Sequence, residues 1–157
     1  MASIVVRSLG PVRGAWRDAA DTYLQRLRPR LPIVWEEGEE VHIRPSAGAA
    51  DELAAREREA ERLLRGVPMD ANLVALDPAG RLLDSEGFAR LLSAWRAATR
   101  PTYLLVGGHL GLAPGLRSRA ELLSLSPLTF SHLMVPAILF EQLYRAHAIL
   151  DGLPYHR

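Results

Sequence analysis

Short, unbroken apolar runs alternate with stretches of helical periodicity along the whole chain. Ile4-Val5-Val6 is a β-branched run that ends at Gly10-Pro11, and a helical pattern over 12–28 follows, with Ala19, Tyr23 and Leu27 on one side. Pro32-Ile33-Val34-Trp35 predicts a second strand, and 36–50, acidic and rich in Gly, Pro, Ser and Ala, predicts a loop. Residues 51–65 predict a solvated helix, with Glu52 and Arg56, and Glu61 and Arg65, spaced as acid-before-base pairs. Asn72-Leu73-Val74-Ala75-Leu76-Asp77 predicts a third strand, closed by a Pro78-Ala79-Gly80 turn, and a helix over about 84–98. Thr102 to Val106 predicts a fourth strand ending at Gly107-Gly108, followed by a short helix over 114–122. Leu125 to Phe130 is short, apolar and predicted extended, and the last helix runs over about 135–150.

Apolar strands separated by helices specify a mostly parallel sheet covered on both faces, an α/β fold. No internal repeat or linker divides the chain, so 1–157 reads as one domain. Open sheets of this class bind ligands beyond the carboxyl ends of their strands. Two such ends carry special residues here: Leu76-Asp77-Pro78-Ala79-Gly80 and Gly107-Gly108-His109-Leu110-Gly111. Glycine lets a ligand approach the backbone and permits positive φ, although an ordinary strand-to-helix turn uses the same residues. Neither GxGxxG nor a GxxxxGK[ST] loop is present, so a nucleotide-like ligand would be held without a phosphate cradle. For Asp77 a capping or turn role is favoured over that of a catalytic acid.

The last helix is apolar nearly all round, with Glu141 and Arg145 its only charged side chains. Such a helix is buried on most sides, and a second subunit is the expected cover. Glu141 and Arg145 stand four apart and can pair with each other, or leave Arg145 for a ligand. His147 reads as a packed histidine, and Pro136 sets the start of the helix near Val135. Beyond it, Tyr155-His156-Arg157 places an aromatic, an imidazole and a guanidinium side by side, which suits contact with a ligand.

Composition narrows the chemistry. The chain has no cysteine, which removes disulfides and thiolate catalysis and fits a cytoplasmic location. Its five histidines lack paired ligand spacing, so no metal site is expected. No apolar run reaches the roughly 20 residues that cross a bilayer, and MASIVVRSLG is a poor secretory signal. All nineteen basic residues are arginine, a uniformity better explained by composition than by one site.

Four spaced motifs occur in order: Gly107-Gly108-x-x-Gly111; Ser124-Leu125-Ser126-Pro127-Leu128-Thr129-Phe130-Ser131-His132; Glu141-Gln142-x-Tyr144-Arg145-Ala146; and Gly152-x-Pro154-Tyr155-His156-Arg157. The series resembles the ribosomal RNA large subunit methyltransferase H family of the SPOUT superfamily, over essentially the whole chain. The resemblance implies an α/β fold with a C-terminal trefoil knot, a rare exception to the rule against threaded chains. It also implies a homodimer and methyl transfer from S-adenosylmethionine to N3 of a pseudouridine in 23S ribosomal RNA. By position, Leu76, Gly107 and the segment Leu125-Ser126-Pro127-Leu128-Thr129-Phe130 would line the S-adenosylmethionine pocket. Tyr155, His156 and Arg157 would reach the partner's pocket. There His156 would handle the proton, Tyr155 would orient the base, and Arg157 with Arg145 would hold phosphate or developing charge. The chain departs from the family where Pro136 replaces an expected arginine four residues after His132: either another arginine, such as Arg117, Arg119 or Arg145, takes over, or RNA affinity is weakened. His109-Leu110 departs as well. A net charge of only +1 favours the assembled ribosome over free RNA as substrate. The alternative is a noncatalytic RNA- or ribosome-binding dimer of the same fold.

Overall fold

A computed structural model describes residues 1–157. Five strands form one sheet in the order β2-β1-β4-β3-β5, with every neighbouring pair parallel. The strands are β1 (Ile4–Leu9), β2 (Ile33–Gly38), β3 (Asn72–Leu82), β4 (Thr102–Val106) and β5 (Glu121–Ser124). The helices are α1 (Gly14–Leu27), α2 (Ala49–Leu64), α3 (Ser85–Ala97), α4 (Pro114–Arg119) and α5 (Val135–Leu150). None is long and apolar enough to cross a membrane.

The two-residue period of the strands sorts the apolar side chains into two layers. Ile4, Val6, Val74, Leu104, Val106 and Leu123 share one core with α1, α3 and α5. Leu9, Ala75 and Leu105 share the other with α2 and α4. Both faces are covered, which is why Ile4-Val5-Val6 of β1 and Leu104-Leu105-Val106 of β4 read as unbroken hydrophobic runs.

Three boundaries differ from expectation. β3 does not stop at Asp77: Leu76 and Arg81 both pair with Leu123, so residues 77–80 bulge out of a strand that resumes. Gly80 permits this, since a β-carbon there would lie 2.6 Å from the Leu122 carbonyl carbon. The predicted helix 114–122 ends at Arg119, and Glu121–Ser124 is the fifth strand. Four residues are too few for a period of two to stand out from helical spacing. Leu125 to Phe130 is not extended. It forms a turn in which Ser124 Oγ donates to the Ser126 carbonyl (3.0 Å) and Leu128 N donates to Ser126 Oγ (3.0 Å).

The acid-before-base pairs of α2 also do not form. Arg62 instead donates to the carbonyls of Glu39 (2.6 Å) and Glu40 (2.9 Å), and the buried Glu59 accepts from Val41 N (3.0 Å). These bonds tie the 39–41 segment to the helix.

The cover for α5 comes from the same chain. Leu139, Phe140, Leu143 and Ala146 pack with Ala20, Leu24 and Leu27 of α1 and with Phe88, Leu92 and Trp95 of α3. Each large apolar side chain fully buried contributes about 1.5–3 kcal/mol. The Glu141–Arg145 pair (2.7 Å), partly exposed and four apart, contributes about 0.3–0.5 kcal/mol. Packing therefore seats the helix within its own chain, while Val135, Ile138, Tyr144 and Ile149 stay half-buried and Leu150 exposed. Pro136 sits in the first turn, where its missing N–H breaks no helical bond.

His147 is buried in this layer with neither ring nitrogen hydrogen-bonded. Burial lowers its pKa below the ordinary 6.5, Arg30 and Arg96 lower it further, and Asp151 opposes them. The unfolded chain thus takes up a proton that the folded one refuses, and stability falls as pH drops below 6.5. Urea midpoints measured between neutral and mildly acidic pH should fall less steeply for His147→Leu than for the parent. Equal slopes would contradict this assignment.

Candidate functional site

β4, β3 and β5 are neighbours in the sheet, and their carboxyl ends open onto one cavity of about 570 Å³. That volume lies within the range of small-molecule sites, about 300–1,000 Å³. Three segments build its walls. The exit from β4 supplies Val106, Gly107 and Gly108; the β3 bulge supplies Asp77 and Pro78; and the turn after β5 supplies Leu125, Ser126 and Leu128 to His132. Gly111, at φ +81°, lets the β4 loop fold back, with its N–H donating to the Gly108 carbonyl (3.1 Å). The walls are mostly backbone and apolar side chains, and no arginine lines them. A ligand bearing phosphates meets no arginine there, whereas a nucleoside without phosphates meets an apolar slot edged by peptide groups.

Of the residues expected around a cofactor, Leu76, Gly107, Leu125, Ser126, Leu128, Thr129 and Phe130 line this cavity, and Pro127 does not. Asp77 performs the turn role, its Oδ1 accepting from Ala79 N (2.8 Å). Its Oδ2 pairs with Arg117, which therefore already has a partner at the edge of the site.

Tyr155, His156 and Arg145 form a second cluster that does not line the cavity. Gly152, at φ +65°, turns the chain back along α5. The Tyr155 hydroxyl then donates to Glu141 Oε1 (2.9 Å) and lies 3.1 Å from the Tyr23 hydroxyl. Arg145 donates to Glu141 Oε1 (2.7 Å), stacks over the Tyr155 ring (4.8 Å) and reaches His156 Nδ1 (3.3 Å). His156 Nε2 faces Glu86 Oε1 at 3.3 Å, while Arg157 is exposed. The Glu141 carboxylate thus organises both Tyr155 and Arg145. Burial, followed by the bonds to Tyr23 and Glu141, pushes the Tyr155 phenol well above its ordinary value.

Two residues of the cavity lining and a carboxylate behind them were not singled out by spacing. Glu40, from the segment that read as a loop, contacts His132 and His109, both of which line the cavity. His132 belongs to a quoted motif and His109 was visible as a departure between the glycines. The carboxylate that joins them lies 92 residues away from His132 in sequence.

Residues 3–156 match the family described as "Predicted SPOUT methyltransferase". Proteins named ribosomal RNA large subunit methyltransferase H are similar along most of their length. That of Gluconacetobacter diazotrophicus is 43% identical over 142 residues, covering 90% of this chain and 88% of its own. That of Syntrophomonas wolfei is 42% identical over 154 residues, 96% of each. That of Acidithiobacillus ferrooxidans is 40% identical over 153 residues, covering 97% and 95%. The chain belongs to the SPOUT methyltransferase family.

For a SPOUT methyltransferase, a glycine-edged cavity at the strand ends supplies room for a methyl donor. The Tyr155 cluster supplies polar groups on separate ground, held by Glu141. Its electrostatics can be checked directly. In an alkaline spectrophotometric titration, one of the four tyrosines should ionise late, and Tyr155→Phe should remove that late component. A late component that persists in the variant would contradict the assignment.

Proposed function

We propose that this protein transfers a methyl group from S-adenosylmethionine to N3 of a pseudouridine in 23S ribosomal RNA, with the assembled ribosome as substrate. The observation that carries this reading is the cavity of about 570 Å³ formed by the Gly107-Gly108 loop, the β3 bulge and the turn after β5, in a chain of the SPOUT methyltransferase family. The names of its relatives supply the ribosomal RNA.

The donor's adenosine and methionine parts carry no phosphate, in keeping with a cavity that no arginine lines. Peptide groups at Gly107 and in the 125–130 turn would hold the adenosine edge, and Leu76, Leu125 and Phe130 would cover its apolar surfaces. S-adenosylmethionine supplies an activated methyl on a sulfonium. The protein's contribution is to exclude water, align the acceptor nitrogen with that methyl and remove the acceptor's proton.

The Tyr155 cluster is the second half of the site, brought by the partner in a homodimer. Its support is chemical: an aromatic ring, two guanidiniums and an imidazole suit a stacked base and its phosphates, yet none of them lines the cavity of its own chain. The reading also includes a C-terminal trefoil knot. It is supported by family membership. A net charge of +1 gives little non-specific pull toward naked RNA, which favours the ribosome as substrate.

Mass spectrometry of 23S ribosomal RNA fragments, from cells with and without the gene, tests the activity. A pseudouridine carrying one methyl should disappear on deletion and return when purified protein and S-adenosylmethionine are added to the deficient ribosomes. An unchanged spectrum would overturn the proposal.

A further inference from the structure

Behind the wall of the cavity one carboxylate stands between two imidazoles that line it. Glu40 Oε1 is within hydrogen-bond distance of His132 Nε2, and Glu40 Oε2 lies 3.5 Å from His109 Nδ1. Both histidines line the cavity. The Glu40 side chain is 13% exposed and that of His132 20%, so their contact is largely shielded from water, while His109 is half exposed.

The seat of this carboxylate is constructed. Val41 N donates to the buried Glu59, Arg62 grips the Glu39 and Glu40 carbonyls, and Gly10 N donates to the Gly38 carbonyl (2.9 Å). Gly10, at φ +88°, leaves the space the pair occupies: a β-carbon there would overlap Glu40 Oε1 and come within 3.2 Å of His132 Nε2. Under the β4 loop, Glu59 Oε1 stands 3.0 Å from where a Gly108 β-carbon would be. The groups facing His132 are thus Glu40 and His109, with Glu59 behind the loop and Arg62 on the Glu40 backbone. Asp77, also on the cavity wall, is neutralised by Arg117.

A neutral imidazole that donates Nε2–H to a carboxylate has its tautomer fixed, with the lone pair on Nδ1. The carboxylate then stabilises the imidazolium that forms when Nδ1 takes a proton. His132 makes no other hydrogen bond in the chain. His156 is placed differently, its Nδ1 lone pair facing the Arg145 guanidinium at 3.3 Å.

We propose that His132, oriented by Glu40, accepts the proton that the methyl-acceptor nitrogen must lose, and that His109 steadies the carboxylate from its other side. This inference rests on the methyl-transfer reading. The acceptor N–H bond breaks and its proton passes to His132 Nδ1. The nitrogen pair forms the N–CH₃ bond while the CH₃–S bond breaks, its electrons leaving sulfur as a neutral thioether. The positive charge that began on sulfur ends on an imidazolium paired with Glu40, and the proton then leaves to water. His132 is the catalytic residue, and Glu40 is a positioning residue.

Single-turnover methylation of modification-deficient ribosomes, with labelled S-adenosylmethionine across a pH series, tests the proposal. His132→Gln should slow the reaction about 10²- to 10⁴-fold, the usual contribution of a positioned base. Calorimetry should show cofactor affinity retained. Glu40→Gln should slow it less and shift the acid limb of the pH profile. Imidazole added to His132→Ala should restore part of the rate. Nitrogen NMR of the free protein should show His132 protonated on Nε2, with that preference lost in Glu40→Gln. A parental rate and profile in His132→Gln would overturn the inference. So would a rate loss matched by lost cofactor affinity without rescue by imidazole, or a tautomer indifferent to Glu40. If the parent methylates no 23S RNA, the function reading fails instead, and the NMR result alone decides whether the Glu40–His132 pair exists as described.

Discussion

A strand buried on both faces of a parallel sheet must release its backbone at its carboxyl end, where the exposed peptide groups need new partners. In this chain β4, β3 and β5, adjacent in the sheet, do so at one place. The exits are made from residues that leave room: Gly107 and Gly108 after β4, a four-residue bulge with Gly80 against the Leu122 backbone, and a serine-bonded turn after β5. The cavity is the space these three exits enclose. Its depth is set by the sheet and its apolar lining by the two cores that meet there. The peptide groups at its edge are those that strand pairing no longer uses.

The layer of α1, α3 and α5 does a second job. Burial of Leu139, Phe140 and Leu143 fixes α5, and Gly152 sends the chain back along it. Glu141, on the half-exposed side of that helix, then gathers Tyr155 and Arg145 into one bonded group. Each bond alone is modest, but together they hold three rotamer-rich side chains ready before any ligand arrives, which lowers the entropic cost of binding. The proposed chemistry needs both a methyl donor and a nucleotide, and the two regions differ in kind: a mostly apolar slot that no arginine lines, and a patch rich in guanidinium and aromatic groups.

Much of this was legible in the sequence, and the reasons differ by element. Ile4-Val5-Val6 and Thr102 to Val106 read as strands because both their faces are buried. The helix start at Val135 followed from Pro136. Leu76 and the Gly107 loop were visible as strand-end chemistry. β5 was not, because four residues at a sheet edge carry too little periodicity, and the turn that follows was misread as extended. The apolar circumference of α5 pointed to a second subunit; two helices of the same chain cover most of it. Most hidden of all was Glu40, whose partners His109 and His132 are brought to it only by the strand order, while the local pattern around it says loop.

The proposed site is divided between two chains, and subunit exchange tests that most directly. One variant is Gly107→Val, whose β-carbon would lie 2.9 Å from Leu112 Cδ2 and whose added methyls crowd the cavity. The other is shortened after Pro154. Each should be inactive alone. Mixed and allowed to exchange, they form dimers in which an intact cavity meets an intact tail, and methyl transfer to ribosomes should return. A mixture that stays inactive although native mass spectrometry shows the mixed dimer would contradict the account.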